Sequence, residues 1–414
     1  MTGKSRLPAL AVAVASAWMA AAVLPAAAAP RDKGPAWVTA WATSQQGLGP
    51  TKISNATVRM IARVTVPGQS VRVRLDNTFG TAPVVFGKVT IGLRARGPAV
   101  AVGLVDPVTF AGKDSVTVAA GATVTSDPVA LRVEALQDLA VSLFVPDADV
   151  QPSQHNNAVV TSYLTDNGAG DQSASADGKP FTGKTTSMFW LKSIDVIPDA
   201  RAATTIVALG DSITDGTCST LDAHDRWEDA LAERFALRKK VAHAVVNEGI
   251  GGNTVTSPNL NPPANSPPGV DRLDRDVFSH AGVSHVVLFL GTNDIRREAP
   301  ADQVIAGIKD IVARVKQKGI KIIGVTIIPR DTTVPGIPDT GWNDAKTKIR
   351  NEVNEWIRTQ AGFDAVLDFD KLVRDHGNPD IISVAYDCGD GVHPSPFGYF
   401  LLGKSVDLGL FKRK

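Results

Sequence analysis

The stretch Leu209-Gly210-Asp211-Ser212 puts a serine three residues beyond an apolar run that reads as a strand, where the chain must turn toward a helix. A serine hydroxyl attacks a carbonyl only if a base takes its proton and a carboxylate orients that base. Taken alone, Gly-Asp-Ser reads as a turn or a helix cap. Ser212 gains meaning from what stands elsewhere. His393 lies in Asp390-Gly391-Val392-His393-Pro394, just before a predicted helix, and Asp390 can come round a glycine turn to the imidazole and fix its tautomer. The other six histidines are placed less well: His155, His224 and His376 in predicted loops, His243 and His285 in or beside strands, His280 at a helix end. Acyl transfer also needs donors for the oxyanion that develops. Gly252, in the glycine-rich run Asn247 to Thr254, can offer a closely approaching backbone N–H, and Asn293, in Gly291-Thr292-Asn293-Asp294, a neutral side-chain N–H. With the N–H of Ser212 itself, the donors number three.

These residues need a scaffold that presents loops at one end. After about Arg201, apolar strand candidates (Thr205 to Leu209, Val241 to Val246, His285 to Leu290, Lys321 to Ile328, Ala365 to Phe369) alternate with helix-length amphipathic segments. The helix candidates are Arg226 to Leu237, Asp271 to His280, Asp302 to Lys318, Asn343 to Thr359 and Phe397 to Leu408. Such alternation implies right-handed βαβ crossovers and a three-layer α/β domain with a parallel sheet. Ligands bind such sheets at the carboxyl ends of the strands, and the candidate residues all follow strands. From about Trp37 to Pro198 the pattern differs. Short period-two runs such as Val58 to Val66, Ser70 to Leu75, Val84 to Leu93, Ser115 to Val118, Leu139 to Val145 and Val159 to Leu164 are separated by turn residues. They predict antiparallel strands in a β-sandwich or jelly roll. The expected division is a leader at 1–29, a β-sandwich domain at 30–200 and an α/β domain at 201–414.

The four blocks Gly210-Asp211-Ser212-Ile213, Asn247 to Thr254, Gly291 to Asp294 and Asp390 to His393 stand in the order of the SGNH hydrolase (GDSL-type esterase) superfamily, which residues Thr204 to Leu408 resemble. Any one block is weak; four in order are specific. The resemblance implies a flavodoxin-like five-stranded sheet, no cofactor, Ser212 as nucleophile, Gly252 and Asn293 as oxyanion donors, and Asp390 and His393 as the remaining triad members. Ile213 stands where the family name has leucine, a conservative departure. The GxSxG elbow of α/β-hydrolases is absent.

Bulk properties agree with an exported enzyme. Among 414 residues, 43 Lys and Arg balance 42 Asp and Glu, so no charge excess draws the protein to nucleic acid or an anionic membrane. Lys4 and Arg6, the uncharged run Leu7 to Leu24, and Pro25 with Ala26 to Ala29 have the three-part layout of a secretory signal peptide, against the rival reading of a membrane anchor. Removing those two basic residues turns a net charge of +1 into −1, and no stable membrane insertion is expected after cleavage. In an oxidising compartment Cys218 and Cys388 are either a disulfide or two thiols. If the triad assembles, the two come near each other, which favours a bridge between the nucleophile loop and the base loop.

Two patterns are decoys. Gly178 to Thr185 satisfies GxxxxGK[ST], but a polar loop precedes it and a strand-like run, Met188 to Ile197, follows, whereas phosphate binding needs a preceding strand and a following helix. Gly249, Gly251 and Gly252 fail GxGxxG because Thr254 stands in the third glycine position. Neither HExxH nor a Cys/His cluster implies a metal. The loops Thr256 to Gly269 and Pro329 to Trp342 should border the pocket, and neither carries a sustained apolar lid, which favours a short acyl group. Trp37, Trp41 and Trp190 could stack on sugars but read better as packing residues. By analogy with β-sandwich modules fused to exported polysaccharide esterases, the expected substrate is a small ester or an acetylated polysaccharide. The alternatives are a broad arylesterase or lysophospholipase, and an inactive carbohydrate-binding protein.

Overall fold

Five strands of the C-terminal half lie side by side and parallel: β1 (Thr204–Gly210), β2 (His243–Gly249), β3 (Val283–Phe289), β4 (Lys321–Val325) and β5 (Ala365–Leu367). Their order across the sheet is β2-β1-β3-β4-β5, a doubly wound arrangement whose order reverses at β1. Successive side chains of β1 point to opposite faces, and both are covered. Ile206 and Ala208 pack with Leu231 and Phe235 of α2 (Trp227–Ala236) and Leu402 of α7 (Pro396–Ser405). Val207 and Leu209 pack with Val304, Ile308 and Ile311 of α4 (Ala301–Gln317) and Val353 of α5 (Asp344–Thr359). Burial on both faces is why these strands read as unbroken apolar runs. Three short helices complete this half: α1 (Ser212–Asp215), α3 (Thr292–Arg296) and α6 (Phe369–Val373).

This computed structural model describes residues 1–3, 36–200, 202–238 and 243–412, and the expected leader lies outside the described residues apart from its first three positions. From Ala36 onward the chain forms one compact unit. Its first part is antiparallel. A six-stranded sheet runs Gly183–Thr185, Ser162–Leu164, Ala56–Val64, Gln137–Val145, Lys88–Arg96, Ala99–Val108, and a four-stranded sheet runs Val38–Ala42, Leu191–Pro198, Gly68–Asp76, Thr123–Thr125. Val58, Met60, Ile91 and Val141 of the first share an apolar cluster with Val71, Val73, Ile194 and Val196 of the second. Trp190 is wholly buried in it, Trp41 packs against it, and the Arg72 guanidinium lies 4.5 Å over the Trp37 ring.

The antiparallel part covers the edge strand β2, where the N–H of Val245 donates to Thr65 Oγ1 (3.1 Å). Thr205 Oγ1 in turn donates to the carbonyl of Thr39 (3.0 Å).

Some expected elements differ. Val84 to Leu93 divides at Gly87 into Val84–Phe86, paired with Val116–Val118, and Lys88–Arg96, paired with Gln137–Val145. Asp271 to His280 is not a regular helix but a 3₁₀ turn, Gly269–Asp271, and a π-helical turn, Asp274–Phe278, because Arg272 and Asp276 turn inward to buried polar partners. β2 continues through Asn247-Glu248-Gly249, expected as loop, because buried Glu248 is held by Ser44 Oγ and His280 Nε2. The GxxxxGKT pattern runs into the strand Gly183–Thr185, and no helix starts there.

Candidate active site

The turn after β1 is built locally. The Asp211 carboxylate caps α1 by accepting the N–H of Ile213 (3.0 Å), which sets Ser212 at the first helical position. The loop before α7 is shaped by Asp390: its Oδ1 accepts the N–H groups of Val392 (2.9 Å) and His393 (2.8 Å). Its Oδ2 accepts His393 Nδ1–H at 2.6 Å, leaving Nε2 as the acceptor for the Ser212 hydroxyl at 2.8 Å. Burial works against ionisation of Asp390, but the hydrogen bond and charge of His393, with the two backbone N–H groups, bring its pKa down to about 2. The Asp390 charge therefore stands fixed behind the imidazole at neutral pH.

Ser212, Asp390 and His393 line a depression of about 420 Å³ together with Gly252 and Asn293. Gly252 has φ +75°, a left-handed conformation that a side chain would strain. Asn293 Nδ2 donates one hydrogen to the carbonyl of Asn253 (3.0 Å) and keeps a second. Neighbouring Asp294 accepts the N–H groups of Val255 (2.8 Å) and Thr256 (3.0 Å), clamping the Gly252 loop to the Asn293 loop. Burial raises the Asp294 carboxyl to about 6 despite those bonds, and raises Asp211, beside Ser212, to about 7.

Residues far from the recognisable blocks hold this geometry. Buried Arg272 donates to the carbonyls of Gly210 (2.9 Å) and Glu248 (2.8 Å) and to Asn253 Oδ1 (3.1 Å), tying the ends of β1 and β2 to the Gly252 loop. Its charge is met by Asp276, which also accepts from Lys192 Nζ (2.8 Å) of the antiparallel part. Burial disfavours the Asp276 charge, but Lys192, Arg275 and Arg272 hold its pKa well below the usual carboxylate range. His155 lies in a short strand, Ser153–His155, not in a loop, and is 2% exposed. Its Nε2 meets Asp215 Oδ1 at 2.9 Å, while Asp215 Oδ2 accepts the N–H of Gly251 (2.9 Å), next to Gly252. Gly249 must be glycine for this approach, since a Cβ there would lie 2.2 Å from the Asp215 nitrogen. Arg272 and His155 carry no motif, and their roles arise only in the folded chain.

Cys218 and Cys388 form a disulfide across 170 residues, joining the segment after α1 to the loop that carries Asp390 and His393. Of the two loops expected at the pocket, Pro329 to Trp342 supplies Arg330, Ile337, Asp339 and Thr340 to the lining. Thr256 to Gly269 supplies none; it packs behind, where Asn253 Nδ2 donates to Ser266 Oγ and the carbonyl of Pro267.

The parallel sheet thus carries a serine after its first strand and an Asp-x-x-His loop before α7. Residues 208–401, just under half of the chain, match the GDSL-like Lipase/Acylhydrolase family, which supports the SGNH hydrolase superfamily for this segment. Members of that family are ester hydrolases. No curated protein matches the sequence. Solved structures similar to this chain include a carbohydrate acetylesterase family member from Sinorhizobium meliloti (22% identity, covering 49% of this chain and 94% of that one, TM-score 0.38). Others are an aryl esterase from M. smegmatis (21%, 49% and 95%, TM-score 0.38) and a GDSL-like lipase from Bacteroides thetaiotaomicron (20%, 50% and 87%, TM-score 0.36).

Proposed function

We propose that this protein is an exported serine esterase that hydrolyses short-chain carboxylic esters, with O-acetylated carbohydrate as its substrate class. The observation that carries this reading is the chain Ser212 Oγ, His393 Nε2, His393 Nδ1, Asp390 Oδ2, with links of 2.8 and 2.6 Å, opening on one depression. In the first step His393 takes the Ser212 proton as Oγ attacks the ester carbonyl. The oxyanion is received by the N–H groups of Ser212 and Gly252 and by the free hydrogen of Asn293 Nδ2. His393 then returns the proton to the departing alkoxide, leaving an acyl-serine. A water that gives its proton to His393 attacks the acyl carbon, and collapse frees the acid and Ser212.

A short acyl group is favoured because Ile337 and Val392 are the only large apolar side chains of the lining, too few for a long chain. The antiparallel segment, 30–200, is read as a jelly-roll-like sandwich joined to the hydrolase part, 201–414. The leader at 1–29 accounts for export. The Cys218–Cys388 bridge suits an oxidising compartment, and no helix of the described residues is long and apolar enough to cross a membrane.

The test is acetate release from acetylated polysaccharides and turnover of acetyl and long-chain p-nitrophenyl esters, with Ser212→Ala as the blank. Turnover of the acetyl ester that falls by at least about 10³-fold in the variant supports the mechanism. Turnover unchanged by Ser212→Ala refutes it, and preference for the long chain overturns the short-acyl reading.

A further inference from the structure

The depression around Ser212 also contains two guanidinium groups that the chemistry above does not use, those of Arg296 and Arg330. Buried arginines elsewhere either meet carboxylates, as Arg272 does with Asp276 at 3.2 Å and Arg350 with Asp370 at 3.6 Å, or spend their donors on several protein oxygens, as Arg59 and Arg297 do. Arg330 is also buried, 8% exposed, yet among the described residues it forms no ion pair with a carboxylate and makes a single side-chain hydrogen bond. Its Nη2 donates to the carbonyl of Thr340 (2.7 Å) and its guanidinium lies 5.5 Å from the Trp342 ring centroid, so its position is set by the protein. Its Nε–H has no partner. Burial, followed by the nearby charge of Arg296, lowers its pKa to about 10, so it stays protonated at neutral pH. Arg296 is exposed and stands three residues after Asn293 on α3, which places both on one side of that helix. Three carboxylates are near. Asp390 is committed to His393, Asp211 lies buried under the turn, and Asp339 is exposed at the rim.

A buried cation with no carboxylate partner and a second cation at the mouth, both lining the depression that holds the nucleophile, make a receptor for an oxyanion. We infer that Arg330 and Arg296 receive an anionic group carried by the alcohol part of the ester, the carboxylate of an acidic sugar. The polar lining favours a uronic-acid ester over the phosphate of a lysophospholipid, whose long acyl chain would find only Ile337 and Val392. The inference rests on the esterase reading of the same site and narrows its substrate to acetylated acidic polysaccharide.

The experiment compares kcat/KM for acetate release from acetylated polygalacturonate and acetylated xylan, at low and high salt, for the wild type, Arg296→Gln and Arg330→Gln. Charge-assisted bonds of this kind correspond to a preference of about 10- to 100-fold for the polyuronate. That preference should shrink toward unity in both variants and at high salt. Equal kcat/KM for the two polymers in the wild type, or a preference that both variants retain, overturns the inference while leaving the esterase reading intact. Faster hydrolysis of a lysophospholipid than of either polymer overturns it as well. Arg330→Gln risks misfolding because Arg330 holds Thr340, so exposed Arg296→Gln is the variant whose fold is secure. Calorimetric binding of oligogalacturonate to Ser212→Ala separates the two readings, since it needs no turnover. Binding that Arg296→Gln weakens about tenfold supports the anion site, and absence of binding refutes it.

Discussion

At the scale of single residues, Asn293 and Asp211 make opposite kinds of demand. One hydrogen of Asn293 Nδ2 is held by the Asn253 carbonyl, so the amide is already oriented before substrate arrives. Asn293→Ala should lower kcat by about 10²- to 10³-fold with KM little changed, as steady-state kinetics on an acetyl ester would measure. A fall confined to KM would assign Asn293 to ground-state binding. Asp211 faces the cost of burial, which raises its carboxyl to about 7 even with the Ile213 N–H as partner. The native state therefore holds this proton more tightly than the unfolded chain, whose carboxyl titrates near 4, and stability falls as pH rises from about 4 to about 7. Asp211→Asn keeps an oxygen for the Ile213 N–H and removes the ionisation. Its melting temperature relative to wild type should rise between about pH 5 and about pH 8, by an amount equivalent to a few kcal/mol. A pH-independent difference would show that Asp211 is not the titrating group. Asp294, raised to about 6 by burial, leaves part of the trend in both proteins.

At the scale of elements, α1 is too short to hold itself, since a four-residue helix fixes more dihedral angles than its hydrogen bonds repay. Its neighbours supply what it lacks. Asp215 at its end grips the Gly251 N–H with one carboxylate oxygen and is gripped by His155 with the other. His155 is itself seated by Nδ1 against the Ser44 carbonyl (2.9 Å). The segment that presents Gly252 is thus set by a strand of the antiparallel part. Burial alone would lower the His155 pKa, but the Asp215 charge and hydrogen bond outweigh it and raise the pKa. His155→Ala should reduce kcat about 10- to 100-fold through misplacement of that segment, and His155→Gln, which can still donate to Asp215, should recover part of the loss. If both variants match the wild type in kcat, His155 serves packing only. Circular dichroism and a thermal melt distinguish a displaced loop from a collapsed fold.

At the scale of the molecule, the sequence divides into two halves of different rhythm, but the boundary between them is crossed by buried polar groups. Lys192 and Ser44 of the antiparallel part both reach Asp276 of the other half, Thr65 bonds the edge strand β2, and the Thr39 carbonyl accepts from Thr205 near the start of β1. Removing one half strands the charges of the other, and breaking a buried ion pair typically costs about 3–5 kcal/mol. Residues 201–414 expressed alone should therefore lack both a cooperative melting transition and ester turnover. An isolated C-terminal half that melts cooperatively and turns over esters at the full rate would show that the antiparallel part is dispensable.

The sequence by itself determined the parts that depend on short spacing or on periodicity. Asp390 and His393 are three residues apart and meet across one turn; the strands of the parallel sheet announce themselves because both their faces are buried; α4 and α5 follow from their apolar stripes. Ser212, Gly252 and Asn293 also stand just after strands, where a parallel sheet must present its loops, while Asp390 and His393 come beyond α6, directly before α7. Tertiary structure alone decided the contacts that close over long stretches of chain. His155 and Asp215 are 60 residues apart, Arg272 and Gly210 are 62, and Lys192 and Asp276 are 84. Partners so distant leave no spacing to read, and a buried arginine or histidine has the same letter as an exposed one. The cysteines show the same division. Their types permitted a bridge or two thiols, and only the folding together of two loops 170 residues apart brought Cys218 to Cys388, beside the nucleophile and its base.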